Sequence, residues 1–104
     1  MRKNIDEFLE FLRYERNASV HTVAAYRRDL LQMAAYLDRR KVRLAQVDNI
    51  ILRGWMADLH DRRLSKTSVA RKLAAVRSFF QYCLKRRICD DNPAVVVTRP
   101  KLDS

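Results

Sequence analysis

Between Arg62 and Cys89 the chain carries nine basic side chains and no Asp or Glu. Arg and Lys at this density, mixed with Ser65, Thr67, Ser68 and small residues, suit the binding of anions rather than proton transfer. Groupings that could do covalent chemistry are poor by comparison. His60 and Arg63 form an H-x-x-R pattern, but the chain has two histidines and no convergent pair of carboxylates. His60 falls near the exposed end of a helix, where a solvated role is expected. His21 falls in the first turn of another helix, a better place for a phosphate contact than for catalysis. Tyr26 lies on an apolar helical stripe, and Tyr14, Tyr36 and Tyr82 read as flanking or surface residues. Cys83 and Cys89 are six apart, with no CxxC pair and no His cluster beside them, so neither a zinc site nor a disulfide framework is indicated. There is no glycine-rich phosphate loop. The expectation is a binding chain, with no catalysis, cofactor or metal of its own.

The elements that must position these residues are helical. One Gly and two Pro leave few interruptions, and most segments repeat at the helical period. A first helix is predicted over residues 4–16, with Ile5, Phe8, Leu9 and Leu12 as its apolar stripe and Asn17 as a left-handed stop. Ser19 caps a second helix reaching residue 39, Asp48 a third over 49–62, and Ser65 a fourth over 66–86. Asn92 and Pro93 open at most a short fifth helix. The predicted fold is all-α, a bundle of four helices plus a short fifth, because amphipathic helices of this kind bury their stripes against one another. Residues 1–98 make the domain, and 99–104 read as the start of a linker.

On a helical wheel the fourth helix puts Val69, Leu73, Val76, Phe80 and Leu84 in one narrow stripe. Ser68, Arg71, Ala75, Ser78 and Tyr82 lie opposite, flanked by Thr67 and Lys72. The second helix has the same plan: Val23, Tyr26, Leu30, Met33, Ala34 and Leu37 inward, and Ala25, Arg28, Gln32, Ala35 and Arg39 outward. Small residues, hydroxyls and long cations on one convex face suit a helix entering the DNA major groove. Ala and Ser permit close approach, and Arg reaches base edges or phosphates. Both helices open on hydroxyls, Ser19 to Thr22 and Ser65 to Ser68, where free amides and the dipole favour phosphate oxygens. Ser19 and Ser65 serve as N-caps in any case. Arg77 sits only about 40° from the centre of the core stripe, so a structural pairing, with Asp58 for example, is expected ahead of a DNA contact.

Composition agrees. The 22 Lys and Arg against 12 Asp and Glu give a net charge of +10, which favours an anionic partner, nucleic acid before a membrane surface or an acidic protein. No run approaches the length of a membrane span. The N-terminus turns acidic at Asp6 and Glu7 where a signal peptide needs an apolar core, which reads as cytoplasmic. The apolar stripes are matched for mutual burial, which argues against a membrane-surface helix.

With both helices in place, the stretch FLEFLRYERNASVHTVAAYRRDLLQMAAYL resembles the opening of the Xer-type tyrosine recombinases, with S-x-x-T-x-x-x-Y-x-x-D-L matched by Ser19, Thr22, Tyr26, Asp29 and Leu30. The stretch LSKTSVARKLAAVRSFFQYCLKRRICDDNPA resembles the second signature, S-x-x-S/T-x-x-R-x-L-x-A-x-R-x-F-F followed by N-P-A and Pro-Lys. It is matched by Ser65, Ser68, Arg71, Leu73, Ala75, Arg77, Phe79, Phe80, Asn92, Pro93, Pro100 and Lys101. The match covers nearly the whole chain. The resemblance implies an N-terminal core-binding (SAM-like) domain that clamps DNA together with a C-terminal catalytic domain. The family's catalytic Arg, Lys, His and nucleophilic Tyr belong to that second domain, so the pattern at His60 is a false match. It also implies that helices 2 and 4 cross in the major groove, and that neighbouring recombinase protomers meet in a tetrameric synapse. The expected DNA-facing set is Ser19, Thr22, Ala25 and Arg28 with Lys66, Thr67, Ser68, Arg71, Lys72 and Ala75; His21, Gln32 and Arg77 are secondary candidates. The implied role is site-specific recombination, in chromosome dimer resolution or in integration of mobile DNA. The competing reading from the residues alone is a basic helical adaptor for an acidic protein.

Overall fold

The computed structural model describes residues 1–97. The expected linker, with Pro100 and Lys101, lies outside the described residues. The order is α1 (Arg2–Tyr14), α2 (Val20–Arg39), a single 3-10 turn (Leu44–Gln46), α3 (Asn49–Asp61) and α4 (Lys66–Lys85). No strand occurs among the described residues. None of these helices is long and apolar enough to cross a membrane.

The starts of α2, α3 and α4 follow from their caps. Ser19 Oγ accepts from Thr22 N, Asp48 Oδ1 from Ile51 N, and Ser65 Oγ from Ser68 N, each satisfying an amide that the first turn cannot. The ends use left-handed residues, but not glycine: Asn17, Lys41, Arg63 and Arg87 all have φ between 54° and 60°. After α2, α3 and α4 the same pair of bonds closes the turn. Val42 N donates to Leu37 O and Lys41 N to Asp38 O; the pairs after α3 and α4 start from Leu64 and Ile88.

The segment expected as a short fifth helix makes consecutive turns instead. Val95 N reaches Asn92 O and Val97 N reaches Ala94 O, both over three residues. Three consecutive β-branched valines resist helix formation there. Arg77 also claims the carbonyls of Ala94, at 3.2 Å, and Val97. Asn92 completes the clasp, donating through Nδ2 to Arg77 O and accepting from Ala94 N.

α4 lies against each of the other three helices, so it buries two adjoining stripes. Val69, Leu73, Val76, Phe80 and Cys83 form one; Lys72, Ala75, Phe79 and Tyr82 form the other. An aromatic cluster joins α1 to both long helices: Phe8 stacks on Tyr26 and meets Phe79 and Tyr82, and Phe11 meets Tyr82. Tyr36 and Tyr82, expected as flanking or surface residues, are core residues. Val23, Tyr26 and Leu84, expected inside, are only half-buried.

Candidate nucleic-acid interface

α2 and α4 are joined by one polar clasp. Asp29, the aspartate of the first motif, is fully buried on α2. Its Oδ2 accepts from Arg71 Nε at 3.0 Å and its Oδ1 from Arg71 Nη2 at 3.1 Å, a bidentate pair. Oδ1 also accepts from Lys72 Nζ at 2.8 Å, and that ammonium donates onward to Gln32 Oε1. Two neighbouring cations on α4 thus share one carboxylate on α2 but end in different environments. The Lys72 side chain is 4% exposed, whereas Arg71 is 44% exposed. Hydrogen bonding to Asp29 is the main reason that the Arg71 pKa is raised, with the charge of Asp29 adding to it.

The structure brings the exposed residues of the expected set onto these two helices. Ser19, His21, Thr22 and Arg28 are exposed and Ala25 half-buried along α2, with Gln32 exposed at the clasp. Lys66, Thr67 and Arg71 are exposed and Ser68 half-buried along α4. Ser19 Oγ and Ser65 Oγ also bond the hydroxyls of Thr22 and Ser68, tightening each first turn.

Two members of the set do not face outward. Lys72 and Ala75 are buried, at 3% and 0% exposure. The wheel assumed one apolar stripe on α4, and the second stripe against α1 and α2 moves the solvent side by about one residue. The exposed line runs Thr67, Arg71, Ala74, half-buried Ser78, Gln81 and Lys85. Ala74, not Ala75, is therefore the small residue beside Arg71. The polar pair Gln81 and Lys85 marked this phase in the sequence. Arg77 takes the structural role expected of it, but with Ala94 and Val97 carbonyls; Asp58 pairs with Arg62 instead, at 3.1 Å.

Charge separates by helix. α4 has no acid, and on α2 the only acids are buried Asp29 and Asp38 near the far end. The remaining acids of the helical region lie on or beside α1 and α3, and Asp90 and Asp91 follow α4. Arg27 is paired with Asp6 on α1, while Arg28 and Lys66 have no ion pair among the described residues. Apart from Asp38, the exposed polar groups of these two helices are rich in donors: hydroxyls, amides at two helix starts, and cations. Among the described residues no three His, Cys, Asp or Glu side chains come together as metal ligands.

Comparison with known proteins identifies the family of the chain. Residues 5–87 match the family model described as "Phage integrase, N-terminal SAM-like domain". The tyrosine recombinase XerC of Pseudomonas aeruginosa is 40% identical over 102 residues, covering 97% of this chain and 34% of that protein. The XerD of Bradyrhizobium diazoefficiens is 39% identical over 94 residues, covering 90% and 30%. The XerC of Anoxybacillus flavithermus is 34% identical over 95 residues, covering 90% and 32%. The chain thus spans about a third of the length of the curated relatives it matches. With four helices, three of them capped by side chains, both motifs and a family match over most of its length, this chain belongs to the phage integrase N-terminal SAM-like domain family.

Proposed function

We propose that this chain is the DNA-holding N-terminal domain of a Xer-type site-specific tyrosine recombinase. It grips part of a recombination half-site through the major groove, and strand cleavage and rejoining belong to a C-terminal catalytic domain. The observation that carries this reading is the separation of charge. The two helices tied by Asp29 present no exposed carboxylate except Asp38, while they present Arg28, Lys66 and Arg71 to solvent. The interface consists of Ser19, His21, Thr22, Ala25, Arg28 and Gln32 on α2 with Lys66, Thr67, Ser68, Arg71 and Ala74 on α4. Lys72, Ala75 and Arg77 act behind it. Helix starts and cations hold phosphates, and the small residues let the backbones approach. A cytoplasmic setting and contact with further recombinase protomers accompany this role, and residues 99–104 begin the linker to the catalytic domain.

The test is a titration of a random-sequence 30-base-pair duplex into the isotopically labelled chain at low salt. Amide shifts should concentrate between Ser19 and Gln32 and between Ser65 and Ala74. Affinity should fall with salt at a slope of about 0.9 per phosphate neutralised. Shifts confined to α1 and α3, or no binding at low salt, would rule the proposal out. Binding of an acidic polypeptide with no binding of duplex would make the basic face a protein adaptor.

A further inference from the structure

We infer that Asp29 is a positioning residue that aims Arg71 at the O6 and N7 edge of a guanine, so that this one pair gives the domain base specificity. The inference rests on the DNA-holding reading above. Its ground is the way the guanidinium is used. Of five N–H donors, Nε and one of Nη2 are spent on the carboxylate. The opposite edge, formed by Nη1 and the second N–H of Nη2, has no partner among the described residues. That edge presents two parallel donors, the pattern that matches guanine in the major groove.

Two further features favour a base over a phosphate. A phosphate anchor gains from free charge and tolerates many rotamers, yet Arg71 is held beside a buried anion that offsets part of its charge. Planar recognition needs the reverse, a fixed guanidinium plane, and a side chain fixed when the domain folds loses less entropy on binding. The carboxylate is held from a second side, because the buried Lys72 Nζ donates to Oδ1. Lys72 is thus a support for the aim of Arg71 and touches no DNA.

The experiment selects duplexes from a randomised pool with the 104-residue chain and three variants, reading base preference and random-sequence affinity separately. The original chain should enrich guanine at one position, and replacing that base by 7-deazaguanine should weaken binding by roughly ten-fold. Arg71→Ala should lose the preference there and nowhere else. Asp29→Asn should lose it as well, while random-sequence affinity holds or rises, because the charge becomes more positive and Arg71 swings free. Lys72→Met, which removes the support of Asp29 from its buried side, should lower thermal stability and weaken the preference only in part, because Arg71 keeps both of its own bonds to Asp29; a loss as complete as in Asp29→Asn would overturn the division of roles. A purely structural Asp29 would lower stability and leave the preference intact, which overturns the inference. Duplex binding with no guanine preference dependent on Arg71 overturns it too, and leaves the DNA-holding reading standing. Absence of any duplex binding removes both.

Discussion

Asp29→Ala removes the acceptor of three hydrogen bonds at once, and its cost divides between two arms. The arm to Arg71 ends at a guanidinium that stays 44% exposed. Water replaces that partner readily, so the arm contributes at most about 1 kcal/mol. The arm to Lys72 is different. Both side chains are almost fully enclosed, and without Asp29 the ammonium keeps only Gln32 Oε1. Stranding a buried charge in this way costs about 3–5 kcal/mol. Taken together the variant should lose about 4 kcal/mol, a large part of the 5–15 kcal/mol that holds a domain of this kind together. With about 4 °C lost for each kcal/mol at this chain length, the melting temperature should drop by roughly 15 °C. Urea unfolding followed by far-ultraviolet circular dichroism would measure this for Asp29→Ala, Lys72→Met and the double variant. Lys72→Met leaves Asp29 with Arg71 and costs less than Asp29→Ala. The double variant has no stranded ammonium, so it should be more stable than Asp29→Ala by about 2 kcal/mol. A loss under about 1 kcal/mol for Asp29→Ala, or simple additivity in the double variant, would refute the burial argument.

Other consequences are accessible to the same measurements. A Cβ on Gly54 would meet Tyr36 Oη at 2.8 Å, so Gly54→Ala should stabilise by about 1 kcal/mol in a Tyr36→Phe background but not in the original chain; equal effects in both backgrounds would dismiss the clash. Burial, with Cys89 alongside, pushes the Cys83 thiol up to about 12. The unfolded thiol releases its proton at lower pH, so stability should decline with rising pH, by about 1 kcal/mol between roughly pH 8 and 9.5. Cys83→Ala should flatten that decline, and an unchanged slope would remove the thiol from it. Lys41 and Arg87 occupy left-handed positions at φ 57° and 59°. Lys41→Gly and Arg87→Gly should each stabilise by about 1 kcal/mol, and a destabilised variant would show that the long side chain does more than close its turn.

What could be read from the sequence was what is decided locally. Ser19, Asp48 and Ser65 announce helix starts because the cap bond spans three residues, and each forms as read. The stops at Lys41, Arg63 and Arg87 gave no such notice. Glycine usually marks a left-handed end, and the single glycine here lies within α3, beside the Tyr36 hydroxyl. The side of α4 that meets solvent was harder still, since it depends on how many helices the element touches. One neighbour buries one stripe, whereas α4 has three neighbours and buries Ala75 and Tyr82 as well.

Lys72 is the sharpest case. On a wheel it belongs beside Arg71, and by composition it adds to the cationic surface. It is inside because a carboxylate 43 residues earlier meets it there, a pairing between helices that no local period records. Counting charges therefore overstates the exposed cationic surface and misses its order. Arg71 and Lys72 share one anion, and the enclosed cation holds that anion still for the exposed one. Asp29 was visible as a motif letter in a cation-rich stretch, without a role. An acid buried on a helix whose face is otherwise basic is the place to look for what aims the face.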